Sequence, residues 1–106
     1  MRLKSLLPSL REKKRYIAFE VQGDRKLEFK DAKDILENSI KEFIGDLGMA
    51  RAGVLFLKDW KNNRGIIKVN TKYVDEIKGA LALIKEHKVQ SLCVSGSVEK
   101  VRSQCF

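Results

Sequence analysis

The segment from Lys13 to Val21, Lys-Lys-Arg-Tyr-Ile-Ala-Phe-Glu-Val, limits the possible folds more than any other, because three consecutive cations run into a strict two-residue alternation. Successive side chains of an extended strand point to opposite faces, so Ile17, Phe19 and Val21 share one face while Tyr16, Ala18 and Glu20 share the other. The first face is wholly apolar and requires a core. The second mixes an aromatic ring, a methyl group and a carboxylate, and can meet solvent or a ligand. A cationic segment therefore leads straight into a sheet.

Beyond a polar turn over residues 22–26, with Leu27 and Phe29 flanking the strand, the apolar period changes. Ala32, Ile35, Leu36, Ile40, Phe43, Ile44 and Leu47 fall on one stripe of an amphipathic helix over residues 31–47, which Gly48 is expected to end as a C-cap. On its charged face Glu37 stands four residues before Lys41, the favourable orientation for a pair. Residues 53–58 read as a second strand and residues 59–63 as a hairpin connection, with Asn62 and Asn63 suited to left-handed turn positions. Residues 64–69 read as a third strand. Asn70 or Thr71 is expected to cap a second helix over residues 72–86, with Asp75 and Glu76 in its first turn and Val74, Ile77, Ala80, Leu81 and Ile84 inward. Residues 89–94 form a fourth strand, and Val98, Val101 and Cys105 lie on one side of a short helix in the tail.

The order strand, helix, strand, strand, helix, strand predicts an α/β (α+β) two-layer sandwich of the ferredoxin-like, RRM-like type. Right-handed crossovers put both helices on one face of a four-stranded antiparallel sheet of order 4-1-3-2. The chain divides into a basic arm (1–12), the ferredoxin-like domain (13–97) and a tail or short helix (98–106). Tyr16, Ala18, Glu20, Ile66, Lys68 and Arg64 are then expected on an open sheet face.

With 106 residues, 43% apolar and 34% charged, the chain suits one globular domain with its own core. Its net charge of +8 is uneven: Arg2, Lys4, Arg11, Lys13, Lys14 and Arg15 against Glu12 give the first 15 residues a net +5. That is the footprint of a polyanion-binding arm, and equally of a solvated leader. Cys93 and Cys105 lack a CxxC spacing and have one histidine for company, so neither a metal site nor a disulfide framework is expected. The opening apolar run is broken by Lys4 and Pro8, which argues against an export signal or a membrane span. These features predict a cytoplasmic protein with reduced thiols.

Nothing in the inventory is arranged for catalysis: there is no usable Ser-His-Asp set and no phosphate-cradling glycine loop. Asp31, Asp34 and Glu37 share a helical neighbourhood, but intervening lysines favour a salt-bridged surface over a metal site. RNA-recognition domains begin their third strand with a cation and glycine and continue with aromatics, whereas this chain reads Arg64-Gly65-Ile66-Ile67-Lys68-Val69. The cation and glycine match and the aromatics are missing. Tyr16 could stack one base or simply shield its neighbours. The RNA-binding candidates are Arg11, Lys13, Lys14, Arg15, Tyr16, Arg64 and Lys68.

Leu7-Pro8, Leu10-Arg11, the run Lys14 to Val21, Gly65-Ile66-Ile67-Lys68-Val69 and Val94-Ser95-Gly96-Ser97, in this order and spacing, resemble ribonuclease P protein component 2. This is an archaeal family related to a small protein subunit of the eukaryotic enzyme. The resemblance implies a non-catalytic subunit that binds the catalytic ribonuclease P RNA and, through the complex, precursor tRNA, supporting removal of 5′ leaders. It implies a further partner, the TIM-barrel-like protein component 3, and allows a homodimer within a heterotetramer. It implies no cofactor on the protein, with magnesium at the RNA active site, and no membrane. A ferredoxin-like regulatory or oligomerisation domain without an RNA role is the alternative.

Overall fold

The computed structural model describes residues 13–23, 26–85 and 87–105. The arm of residues 1–12, with Arg11, lies outside the described residues, as do Asp24, Arg25, Glu86 and Phe106. The elements are β1 (Lys14–Gln22), α1 (Phe29–Ala52), β2 (Leu55–Lys61), β3 (Arg64–Asn70), α2 (Val74–Ala82), β4 (Lys88–Ser95) and α3 (Val98–Cys105), with a 3-10 turn at Thr71–Tyr73. The strands form one antiparallel sheet of order β2-β3-β1-β4, which is 4-1-3-2 read from the other edge.

The alternation in β1 sets the layers as expected. Ile17, Phe19 and Val21, with Ile67 and Val69 of β3, pack against Leu36 and Ile40 of α1 and Ile77 and Leu81 of α2. Phe19 is 1% exposed, edge-on to Phe56 with centroids 6.3 Å apart and 6.1 Å from the Trp60 ring. Gly65 faces Phe19 across the β1–β3 ladder, where a Cβ would lie 2.6 Å from Phe19 Cζ. The glycine that looked like part of a nucleic-acid signature is therefore explained by the ring beneath it.

Asn62 and Asn63 have φ of 52° and 60°, the paired left-handed conformation of a tight hairpin turn. The connection is shorter than expected. Trp60 pairs with Gly65 and Lys61 with Arg64, so residues 59–61 belong to β2. The Trp60 indole N–H donates to the Leu27 carbonyl at 2.9 Å, and the Leu27 N–H donates to Asn63 Oδ1 at 2.8 Å. The hairpin tip is thereby tied to the loop before α1.

Several expectations are corrected. Gly48 does not end α1: the helix breaks at Gly45 (φ 76°, ψ 174°), continues to Ala52, and ends at Gly53, whose φ of 61° and N–H bond to the Met49 carbonyl make it the left-handed cap. It also begins at Phe29, two residues early. Lys41 pairs with Asp46 at 3.2 Å rather than with Glu37. Phe43 and Leu47, expected inside, are 49% and 64% exposed. Helix α2 stops at Ala82, four residues short of the expected end, and neither Asn70 nor Thr71 caps it, because both side chains bond elsewhere.

The second sheet face is not open. Helix α3 lies across it, with Val101 fully buried against Ala18 and Ile66, and with Tyr16, Leu57, Leu92, Cys93, Val98 and Cys105 around them. Cys93 and Cys105 are joined as a disulfide with Cα atoms 6.7 Å apart, contrary to the expected reduced thiols. Spacing along the chain concealed this, because the helix turns its last residue back onto β4. Among the described residues no helix is long and apolar enough to cross a membrane.

Candidate nucleic-acid interface

Because β1 runs antiparallel to both neighbours, its first residues meet the ends of β3 and β4: Lys14 lies opposite Asn70, and Tyr16 opposite Lys68 and Ser95. The end of α1 arrives at the same place, where Asn70 organises the junction. Its Oδ1 accepts a hydrogen bond from Lys14 Nζ, and its Nδ2 donates to the Arg51 carbonyl at 2.6 Å. The Lys13 carbonyl accepts from both the N–H (2.9 Å) and the hydroxyl (3.0 Å) of Thr71. Asn70 and Thr71 thus tie together the Lys14 ammonium and the backbones of Lys13 and Arg51, with Lys72 next along the chain. Arg15 completes the set, its guanidinium donating to the Lys14 carbonyl at 3.2 Å and lying against Gly96.

Lys13, Arg51 and Lys72 are exposed and Lys14 and Arg15 half-buried. The ion pairs among the described residues are Lys41–Asp46, Arg64–Glu20 and Arg102–Asp59, and none involves this corner. The α1 C-terminus brings only about half a negative charge, and the start of α3 after Ser95-Gly96-Ser97 brings a similar positive one. Five whole positive charges dominate both. Such a cluster suits phosphate oxygens, which charged donors hold in position without reading sequence.

Of the candidate residues, Lys13, Lys14 and Arg15 meet at this corner, and Tyr16 and Lys68 sit beside it on adjacent central strands. Tyr16 is half-buried under α3, packed with its apolar cluster rather than presented to solvent. Arg64 is separated from the rest. It lies opposite Glu20, six residues or about 20 Å along β1 from Lys14. There it donates to Glu20 at 2.9 Å and to the Cys105 carbonyl at 3.3 Å. Arg51 and Lys72 were missed by sequence reasoning. Placing the helix end at Gly48 hid Arg51; reading Gly53 as the cap would have put it in the last turn, beside the start of the sheet.

The described residues contain no group of three or more His, Cys, Asp or Glu placed to hold a metal. Away from this corner, a 350 Å³ groove between α1 and the end of α2 is lined by Ser39, Glu42, Phe43, Ala80, Leu83, Ile84 and Lys85, and Phe43 and Leu83 are exposed there.

The cationic corner is carried by an antiparallel split βαβ sheet with two helices on one face and α3 on the other, which places the chain in the α+β class of two-layer domains. Comparison with known proteins gives the family: its model, described as Rpp14/Pop5 family, matches residues 15–106, and the chain belongs to it. The chain is 38% identical over 105 residues to ribonuclease P protein component 2 of Thermococcus kodakarensis, covering 93% of this chain and 88% of that one. It is 34% identical over 107 residues to that of Methanococcus maripaludis strain C6 (96% and 82%) and 33% over 110 to that of Pyrococcus abyssi (98% and 93%). A chain in the cryo-EM structure of yeast ribonuclease MRP shares the fold, with a TM-score of 0.62 at 15% identity, covering 88% of this chain and 91% of that one.

Proposed function

We propose that this chain is a non-catalytic protein subunit of ribonuclease P, binding the catalytic RNA and supporting removal of 5′ leaders from precursor tRNA. Membership of the Rpp14/Pop5 family, together with relatives named ribonuclease P protein component 2, supports the assignment. The observation that carries its physical content is the corner of Lys13, Lys14, Arg15, Arg51 and Lys72, five cations with no carboxylate partner among the described residues. Crowded phosphates repel one another, and a fixed set of protein cations lowers the cost of bringing them together. Cleavage chemistry belongs to the RNA in this reading, with the protein setting the shape and charge around it.

Protein component 3 is the proposed protein partner, with the exposed Phe43 and Leu83 beside the α1–α2 groove as its contact; a homodimer within a heterotetramer is an assembly compatible with that. The test is capture from a reconstituted mixture of the chain, its cognate RNA and component 3. Arg51→Gln with Lys72→Gln should weaken capture of RNA and spare component 3, and Phe43→Asp with Leu83→Asp should do the reverse. Equal RNA capture by the charge variant would contradict the assignment of the corner.

A further inference from the structure

We propose that the Cys93–Cys105 bond is a redox latch on α3, and that α3 gates the sheet face carrying Tyr16, Ile66 and Lys68 for an unpaired stretch of RNA. The proposal deepens the RNA-binding reading and rests on it. Helix α3 has eight residues, far too few for stability on its own. What holds it is unevenly distributed. Val98 and Val101 pack in its first half, and Arg102 makes a two-point pair with Asp59 at 2.8 and 3.1 Å. The last turn is fastened by the single Arg64 bond to the Cys105 carbonyl and by the disulfide to edge strand β4.

Beneath the helix, Tyr16 and Lys68 face one another across the central β1–β3 ladder, with Ile66 two residues away. A ring beside a cation on adjacent strands offers one stacking platform and one phosphate contact, which is what sequence-tolerant binding of single-stranded RNA uses. This face adjoins the cationic corner, since Lys14 and Tyr16 are two residues apart on β1. An RNA strand held at the corner therefore reaches Tyr16 only if α3 yields. While the disulfide closes a loop of sequence separation 12, the helix cannot move far.

The step is an exchange with a dithiol, cellular or added. One thiolate of the dithiol attacks a cysteine sulfur, forming a mixed disulfide and expelling the other cysteine as a thiolate, which takes a proton. The second dithiol sulfur then displaces the first cysteine, so two electrons and two protons pass to the protein and the dithiol leaves as a cyclic disulfide. Both cysteines are half-buried, so a small dithiol has a route to them.

The test compares the full chain in its oxidised form, the same chain in dithiothreitol, and Cys105→Ser. Reduction should raise amide exchange in α3 by about tenfold or more while leaving β1 and β3 unchanged. Affinity for a short uridine oligonucleotide should rise about fivefold or more, the lower end of what one stacked base is worth. Tyr16→Ala should abolish that rise, and Cys105→Ser should show it without reductant. Quantitative alkylation of both cysteines in the oxidised preparation, or α3 exchange indifferent to dithiothreitol, would overturn the latch. RNA binding equal in both redox states and indifferent to Tyr16→Ala would overturn the gate while leaving the corner standing. No RNA binding in either state would overturn the gate and the RNA reading together.

Discussion

Neutralising Arg51 and Lys72 tests whether the corner is an interface or an accident of surface charge. Both side chains are exposed and neither enters a described ion pair, so Arg51→Gln with Lys72→Gln should change stability by no more than about 0.5 kcal/mol per site. Each phosphate contact contributes ~0.7 to the slope of log affinity against log salt on single strands and ~0.9 on duplex. Two lost contacts should flatten that slope by about 1.4 to 1.8, and at 0.1 M salt lower affinity roughly 25- to 60-fold. Lys30→Gln is the control, because it lies in the first turn of α1, about 22 Å of helix before the Gly45 break that precedes Arg51. The assay is a filter-binding series on cognate RNA from low to moderate salt, with melting curves to confirm folding. A double variant that folds normally and keeps the parent slope would refute the corner's role.

Other perturbations address the scaffold. Phe19→Ala should cost about 3 to 5 kcal/mol, given complete burial against Phe56 and Trp60, while half-buried Lys68→Ala barely moves the melting temperature; similar losses at both would mean the faces are misassigned. Gly65→Ala should cost about 1 to 3 kcal/mol by driving a methyl into the Phe19 ring, and Gly65→Ala on a Phe19→Leu background should recover part of that in denaturant titrations. The Arg102 hydrogen bond holds Asp59 below its ordinary value of 3.8, against an opposing push from burial. A lowered carboxylate contributes stability that is full above the ordinary value and lost as pH falls through the lower folded one, so α3 should loosen only below about pH 3.8. In Asp59→Asn, amide exchange in α3 should lose that acid-dependent step.

The architecture was legible because each element wrote its own period. Ile17, Phe19 and Val21 alternate, the stripe from Ala32 to Ile40 repeats at helical spacing, and Asn62-Asn63 marks a two-residue turn. Helix ends were less legible, since glycines compete: Gly45, Gly48 and Gly53 all offer a stop, and only backbone closure onto Met49 selects Gly53. The polar hub at Asn70 was read as a helix cap because an asparagine before a helix usually is one; tertiary partners from β1 and α1 claimed the side chain instead. The covered sheet face was the larger miss. The apolar spacing of Val98, Val101 and Cys105 announced an amphipathic turn, but the surface it would meet, and the proximity of Cys93, depend on how the chain doubles back after β4. For the candidate site, the cations of β1 were visible in sequence, whereas Arg51 and Lys72 join them only through three-dimensional closure.

The central claim, a protein that supports an RNA catalyst through charge, is tested most directly by precursor tRNA cleavage across a magnesium series with cognate RNA, component 3 and this chain. The chain alone should not cleave. Added to the RNA and component 3, it should lower the magnesium needed for half-maximal rate, and removing the charges of Lys14, Arg15, Arg51 and Lys72 should raise that requirement while high magnesium restores the rate. Asp34→Ala and Glu37→Ala should leave cleavage intact. A folded, assembled carboxylate variant that is inactive at saturating magnesium, or a magnesium requirement indifferent to this chain, would contradict the account.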